Sequence, residues 1–99
     1  MKKKEKVPDE IGGAKVLRFI EIGSVFGATG NTKHVVRGVL MGPAYGLAIC
    51  KYANESGYYL FGCDENWNSL TDTHHDTIED AIAQGEFEYK GTRDKWISN

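Results

Sequence analysis

The chain has no Lys or Arg between positions 52 and 89, and this is its most informative absence. The same segment holds nine acidic residues, whereas residues 11–51 carry five basic residues and one acid, Glu21. A segment this acidic disfavours nucleic acid as a partner and favours a basic protein, because electrostatic attraction needs opposite charges. The plainer alternative is that the acids keep a small protein in solution.

Long apolar runs are also missing. No stretch of about 18 apolar residues exists, so we predict no membrane-spanning segment and no membrane partner. The basic start MKKKEK is not followed by an apolar run of about 7–15 residues, so we expect no signal peptide. Together these features predict a cytoplasmic protein.

Cysteine is scarce, and the sequence lacks the motifs of common metal and phosphate sites. Cys50 and Cys63 are too few for a disulfide framework. The spacings H-x-x-x-H and C-x-x-C are absent. A phosphate-binding loop is excluded because Gly27 and Gly30 lie too close together and Lys33 stands three residues beyond the second glycine. We therefore predict no cofactor, and the sequence favours a protein that is not an enzyme.

The composition is that of one small folded domain. The chain has 99 residues, of which 40% are hydrophobic and 11% aromatic, enough to form a single core. Residues 1–14 begin with lysines and continue with a proline and two glycines, which predicts a disordered N-terminal tail. Residues 15–99 are assigned to the folded domain.

β-Branched and aromatic residues predict five strands, over residues 15–22, 34–41, 46–53, 58–63 and 69–74. Short turns join the last three into an antiparallel meander, and we expect the first two to join the same sheet. Both faces of the third and fourth strands are apolar, although one helix covers only one face. Three solutions stay open: the sheet curls, the N-terminal strands and loop cover the second face, or a homodimer covers it.

One amphipathic helix follows the last strand. Thr77 and Asp80 have the N-cap and N3 spacing of a capping box. Apolar residues then recur at helical spacing and predict one stripe facing the sheet: Ile78, Ala81, Ile82, Gly85 and Tyr89. The glycine in that stripe predicts a close approach of helix and sheet. The fold class is therefore α+β, an antiparallel sheet of four to five strands with one C-terminal helix packed on it.

Two aromatic residues stand among the acids. Phe87 lies opposite the apolar stripe, between Glu86 and Glu88, and Trp67 lies at the tip of an acidic turn. Two interpretations of Phe87 stay open: it packs on the returning Trp96, or it contacts a partner. Aromatic anchors ringed by carboxylates suit a basic protein. The predicted partner-binding surface consists of Asp64, Glu65, Trp67, Glu79, Asp80, Glu86, Phe87 and Glu88.

A second candidate site is the polar run Asp72-Thr73-His74-His75-Asp76, which holds the residue types of a zinc or non-haem iron site. Strand alternation sends Asp72 and His74 to one face and His75 to the other. His34, the only other histidine, is the candidate third ligand across the sheet. A metal-binding protein or metal-dependent enzyme is therefore the alternative hypothesis.

The segment YYLFGCDENWNSLTDTHHDTIEDAIAQGEFEY, with Trp96 after it, resembles a group of small bacterial proteins with no assigned activity. The shared texture is Tyr-Leu-Phe-x-Cys-Asp-x-x-Trp, then Thr-Asp-Thr, Glu-x-Ala and Glu-Phe-Glu-Tyr. This resemblance covers roughly the last half of the chain and implies a bacterial origin and an α+β fold. Immunity proteins and inhibitors are similar to the chain in size and acidity. A non-catalytic interaction module of that kind is the leading hypothesis, and a structural homodimer is the third.

Overall fold

The computed structural model describes residues 7–23, 27–30, 34–40 and 42–99. The main sheet contains β1 (Glu10–Ile11), β2 (Ala14–Glu21), β6 (Gly46–Lys51), β7 (Tyr58–Cys63), β8 (Ser69–His75) and β10 (Ile97–Ser98). Two further pairs are β3 (Gly27–Ala28) with β9 (Tyr89–Lys90), and β4 (Val35–Val36) with β5 (Val39–Leu40). Helix α1 spans Ile78–Glu88.

The predicted α+β fold class is confirmed, with one helix packed on a curled antiparallel sheet. The strand order is β1-β2-β6-β7-β8, and β10 pairs with β2 beside β1. Strands β6, β7 and β8 form the predicted meander, in which each strand pairs antiparallel with the next. Among the described residues, no helix is long and apolar enough to cross a membrane.

A bulge in β2 explains why its apolar residues alternate irregularly. The register shifts between Val16 and Arg18, so Leu17 is the extra residue. One extra residue reverses the alternation of faces beyond it. Val16 and Phe19 consequently pack in one core cluster and Ile20 in the other.

The two faces of the sheet carry separate apolar clusters. The helix-side core contains the buried residues Ile20, Ile22, Leu47, Ile49, Leu60, Ala81 and Tyr89. The far-side core contains Ile11, Ala14, Val16, Ala48, Cys50, Phe61, Cys63 and Trp67. The N-terminal strand and the Trp67 turn thus supply cover for the far side from within the same chain.

The structure corrects the prediction of a disordered tail over residues 1–14 for its second half, residues 7–14. Residues 1–6 lie outside the described part of the chain. Beyond them, β1 pairs with the start of β2, and Ile11 lies opposite Ala14. The turn between the strands is made by Gly12 and Gly13, whose φ angles of 58° and 88° suit glycine. Ile11 and Ala14 are both buried, because their side chains pack in the far-side core.

The prediction of a main-sheet strand over residues 34–41 is wrong. Strands β4 and β5 instead form a separate hairpin, and Met41 lies outside the described residues. The turn residues Arg37 and Gly38 have φ angles of 54° and 79°, a geometry typical of two-residue hairpin turns. Three apolar side chains of the hairpin are 60–62% exposed: Val35, Val39 and Leu40.

Helix α1 begins and packs as predicted. The Asp80 backbone N–H donates a hydrogen bond to Thr77 Oγ1 at 3.0 Å, so Thr77 is the N-cap. The predicted stripe faces the helix-side core. A Cβ added at Gly85 would lie 3.0 Å from Trp96 Cζ2 and 3.6 Å from Leu47 Cδ1. The predicted close approach of helix and sheet is therefore confirmed.

Candidate interaction surface

Trp67 belongs to the core, which corrects its assignment to the partner-binding surface. The residue is 2% exposed. Its ring makes edge-to-face contacts with Phe19 and Tyr45, at centroid distances of 5.9 and 6.3 Å. Its φ of 63° is uncommon for a residue other than glycine and directs the ring into the far-side core.

Asp64 organises the same turn. One of its carboxylate oxygens accepts hydrogen bonds from the backbone N–H groups of Asn66 and Asn68, both at 2.9 Å. The other accepts from the Asn68 side-chain amide at 3.1 Å. These bonds, above all the one from the Asn68 backbone, lower the pKa of Asp64. The carboxylate is committed to the turn, where Glu65 is the exposed acid.

Glu86 closes the turn that follows α1. Its carboxylate accepts hydrogen bonds from the backbone N–H groups of Gly91 at 3.1 Å and Arg93 at 3.0 Å. The Gly91 bond is the main cause of the lowered pKa of Glu86. This predicted partner-binding carboxylate therefore holds the chain reversal that brings Trp96 back towards the helix.

Glu88 is buried, which corrects its assignment to the exposed surface. It is 7% exposed, accepts a hydrogen bond from Gln84 Nε2 at 2.7 Å and lies 2.8 Å from His34 Nε2. His34 and Glu88 line a notch of about 20 Å³ together with Thr71 and Tyr89, room for about one water molecule. The contact ties His34, the residue before β4, to the end of the helix. Sequence reasoning missed it because the two residues are 54 positions apart.

The exposed residues on the outer side of α1 form a single stripe. Glu79, Ala83 and Phe87 are exposed and stand at i, i+4 and i+8, which places them in one row. Asp80, beside Glu79, is exposed as well. We call these four residues the outer stripe of α1. The returning Trp96 packs over Gly85 on the inner side of the helix and not along the outer stripe.

The candidate metal ligands lie on opposite faces of the sheet. Asp72 pairs with Phe61 and His74 with Tyr59, so both face the far side. His34 lies on the helix side, where it contacts Glu88. Within the part of the chain that the structure describes, no group of three His, Cys, Asp or Glu side chains is arranged to hold a metal ion.

The remaining reactive side chains are placed for packing. Cys50 and Cys63 are buried, and burial raises the pKa of each thiol to about 12. Neither thiol is thereby available as a thiolate nucleophile at neutral pH. His75 faces the helix side as alternation predicted, its Nε2 lies 2.7 Å from Thr73 Oγ1, and burial lowers its pKa.

Comparisons of the chain with protein-family models, with curated proteins and with solved structures find no match. The resemblance to small bacterial proteins stays a prediction. The candidate site is therefore defined by geometry alone. Of the eight predicted partner-binding residues, the helix presents Glu79, Asp80 and Phe87 together on one exposed stripe.

Proposed function

We propose that the protein is a non-catalytic interaction module, comparable to an inhibitor or immunity protein, that binds a basic protein through the outer stripe of α1. The observation that carries the proposal is the exposure of Phe87, which is 50% exposed at the end of the stripe. Leaving a large aromatic side chain in water forgoes hydrophobic free energy that a partner recovers on binding. Aromatic residues of this kind are frequent anchors in protein interfaces.

The outer stripe lies on a helix whose backbone is held in place. Thr77 caps the helix, and the inner side packs on the sheet, so the spacing of the four stripe positions is fixed. The distance from Glu79 to Phe87 along the axis is about 12 Å at about 1.5 Å per residue. Ala83 between them adds little height. A partner lying along the helix meets two carboxylates at one end and an aromatic ring at the other.

The charge of the stripe favours a basic partner. Glu79 and Asp80 lie in a segment without Lys or Arg, residues 52–89. Opposite charges on a partner would accelerate encounter and set its orientation on the helix. Glu65 is outside this surface, because its turn packs Trp67 into the far-side core, whereas α1 packs on the opposite face of the sheet.

A charge-reversal capture experiment tests the proposal. Immobilised wild type and the variant Glu79→Lys/Asp80→Lys are exposed to a lysate of the source cells, and captured proteins are identified by mass spectrometry. We expect a basic protein to be captured by the wild type and lost by the variant. Charge attraction would become repulsion at the same two positions.

The matched control is Glu65→Lys/Asp94→Lys, which makes the same change of charge at two exposed residues outside the stripe. This control should still capture the partner. Circular dichroism melting curves confirm that both variants fold. If the two variants capture the same proteins as the wild type, the outer stripe is not the binding surface and the proposal is rejected.

A further inference from the structure

Strand β8 is an open edge of the main sheet. It is the last strand in the order β1-β2-β6-β7-β8, and no other strand among the described residues pairs with its outer side. It spans seven residues. The opposite edge is divided instead, because the two-residue strands β1 and β10 both pair with β2. A long edge presents unpaired backbone N–H and C=O groups that pair readily with another strand.

The edge lacks two of the features that most often discourage pairing. β8 contains no proline and no lysine, which are common protective residues on edge strands. Its one irregularity is a bulge at Leu70, and the register with β7 is regular from Thr71 to His75. The threonines at 71 and 73 are β-branched and favour extended structure.

We infer that β8 pairs with β8 of a second copy of this chain, antiparallel about a two-fold axis at Thr73. In an antiparallel pair, residues directly opposite each other point to the same face of the sheet. The two-fold axis must therefore lie between one residue and the same residue of the other copy. At Asp72 or His74 the axis would set like side chains against each other, which is unfavourable for charged groups. At Thr73 it sets Asp72 of each copy opposite His74 of the other, and Thr73 opposite itself.

The cross-strand partners in this register are complementary on both faces. Asp72 and His74 are exposed on the far side, where a carboxylate and an imidazole form a favourable pair. On the helix side, Thr71 of each copy lies opposite His75 of the other and Thr73 lies opposite itself, while Thr73 Oγ1 and His75 Nε2 lie 2.7 Å apart within each chain. Each such pair contributes roughly 0.2–1 kcal/mol. Because residues 71–75 are complementary to the same residues of another copy, we infer that a second copy of this chain pairs with the edge.

The exposed hairpin gains a contact in the same dimer. His34 and Gly42, which flank the β4–β5 hairpin, line the same notch as Leu70, so the hairpin stem lies at the start of β8. Antiparallel pairing places that end beside the end of the other β8, which continues into Asp76 and the acidic first turn of α1. Arg37 in the hairpin turn is complementary in charge to this region.

Sedimentation of the wild type over a concentration series tests the dimer. We expect the average mass to rise from the 11.0 kDa of one chain towards twice that value. The affinity should be on the order of micromolar, because a pair of short strands buries less than a standard interface. A mass that stays at one chain at millimolar concentration would overturn the inference.

Charge exchange tests the register. Asp72→Lys sets a lysine opposite His74, and His74→Glu sets a glutamate opposite Asp72, so each single variant should weaken dimerisation at least tenfold. The double variant Asp72→Lys/His74→Glu, and an equimolar mixture of the two single variants, should recover it. The control Glu65→Lys makes the charge change of the first variant in the adjacent turn and should dimerise like the wild type. Single variants that dimerise as tightly as the wild type would overturn the register.

A measurement on the wild type covers the case in which a variant fails to fold, since His74 packs on Tyr59 with ring centroids 5.0 Å apart. Hydrogen exchange is followed at low and high protein concentration. Amides of residues 71–75 that point to the outer edge should become protected only at high concentration. Equal exchange at both concentrations would contradict pairing through β8.

Discussion

The far-side core leaves no room for a side chain at Gly46. A Cβ added at Gly46 would lie 2.6 Å from Trp67 Cη2 and 2.8 Å from Cζ3. The indole cannot retreat, because it is buried against Phe19 and Tyr45. The absence of a side chain at position 46 is therefore what admits the Trp67 ring.

Gly46→Ala should lower the free energy of unfolding by about 1–3 kcal/mol, the usual cost of overpacking a core. The matched control is Gly42→Ala, where no atom of the described residues beyond the chain neighbours lies within 4 Å of the added Cβ, and its effect should stay within about 0.5 kcal/mol. Urea denaturation measures both. Equal stability of the two variants would show that Trp67 is not held as described.

Asp64 makes the turn between β7 and β8 sensitive to acid. Its pKa is lower in the folded protein than in the unfolded chain, because the Asn68 and Asn66 N–H groups favour the carboxylate. A lowered pKa contributes stability above the unfolded value, about 3.9 for Asp. That contribution is lost as the pH falls through the folded value.

The variant Asp64→Asn has no carboxylate at this position that acid could protonate. Its melting temperature should therefore fall less than that of the wild type between about pH 6 and about pH 3. Glu65→Gln is the control, since Glu65 is exposed in the same turn. It should follow the wild type. Parallel curves for all three proteins would contradict the role assigned to Asp64.

At the scale of elements, the N-terminal strand β1 acts as cover for the sheet. Ile11 belongs to the far-side core, so Ile11→Ala should cost about 2–3 kcal/mol of unfolding free energy. Val39→Ala in the exposed hairpin should cost under about 0.5 kcal/mol. Chemical denaturation compares the two. If Ile11→Ala were as stable as Val39→Ala, residues up to 14 would behave as the tail that the composition suggested.

Elements with local causes could be predicted from the sequence. The helix is an example, because the Thr77 cap and the spacing of its apolar stripe are both properties of neighbouring residues. Strand β1 could not, because Ile11 stands between Glu10 and two glycines and its burial depends on a sheet formed by distant residues. The hairpin of β4 and β5 could not be predicted either, since Gly38 produces a turn within an otherwise β-like run of valines.

Some features of the candidate surface could likewise be predicted from neighbouring residues, and others could not. The outward position of Phe87 follows from helical geometry once the stripe is known, so it was predictable. The burial of Trp67 depends on a positive φ of 63°, which no neighbouring glycine signals. The contact of Glu88 with His34 joins residues 54 positions apart. Carboxylates that hydrogen-bond to turns, such as Asp64 and Glu86, look identical in sequence to carboxylates that face a partner.

At the scale of the whole molecule, the acidic half of the chain has two distinct uses. Some acids stabilise turns and the helix end, as Asp64, Glu86 and Glu88 do. Others remain exposed on the outer stripe of α1 and along the edge strand β8. These two exposed regions meet where β8 leads into the first turn of α1.

The most direct test of the proposed function is the affinity of the captured basic protein for the wild type and for Phe87→Ala, measured by calorimetry. We predict that Kd rises about 30-fold or more, corresponding to the roughly 2 kcal/mol of an interface hot spot. The melting temperature should be unchanged, because Phe87 belongs to neither core. An unchanged Kd with an intact fold would contradict the claim that the outer stripe of α1 is the binding surface.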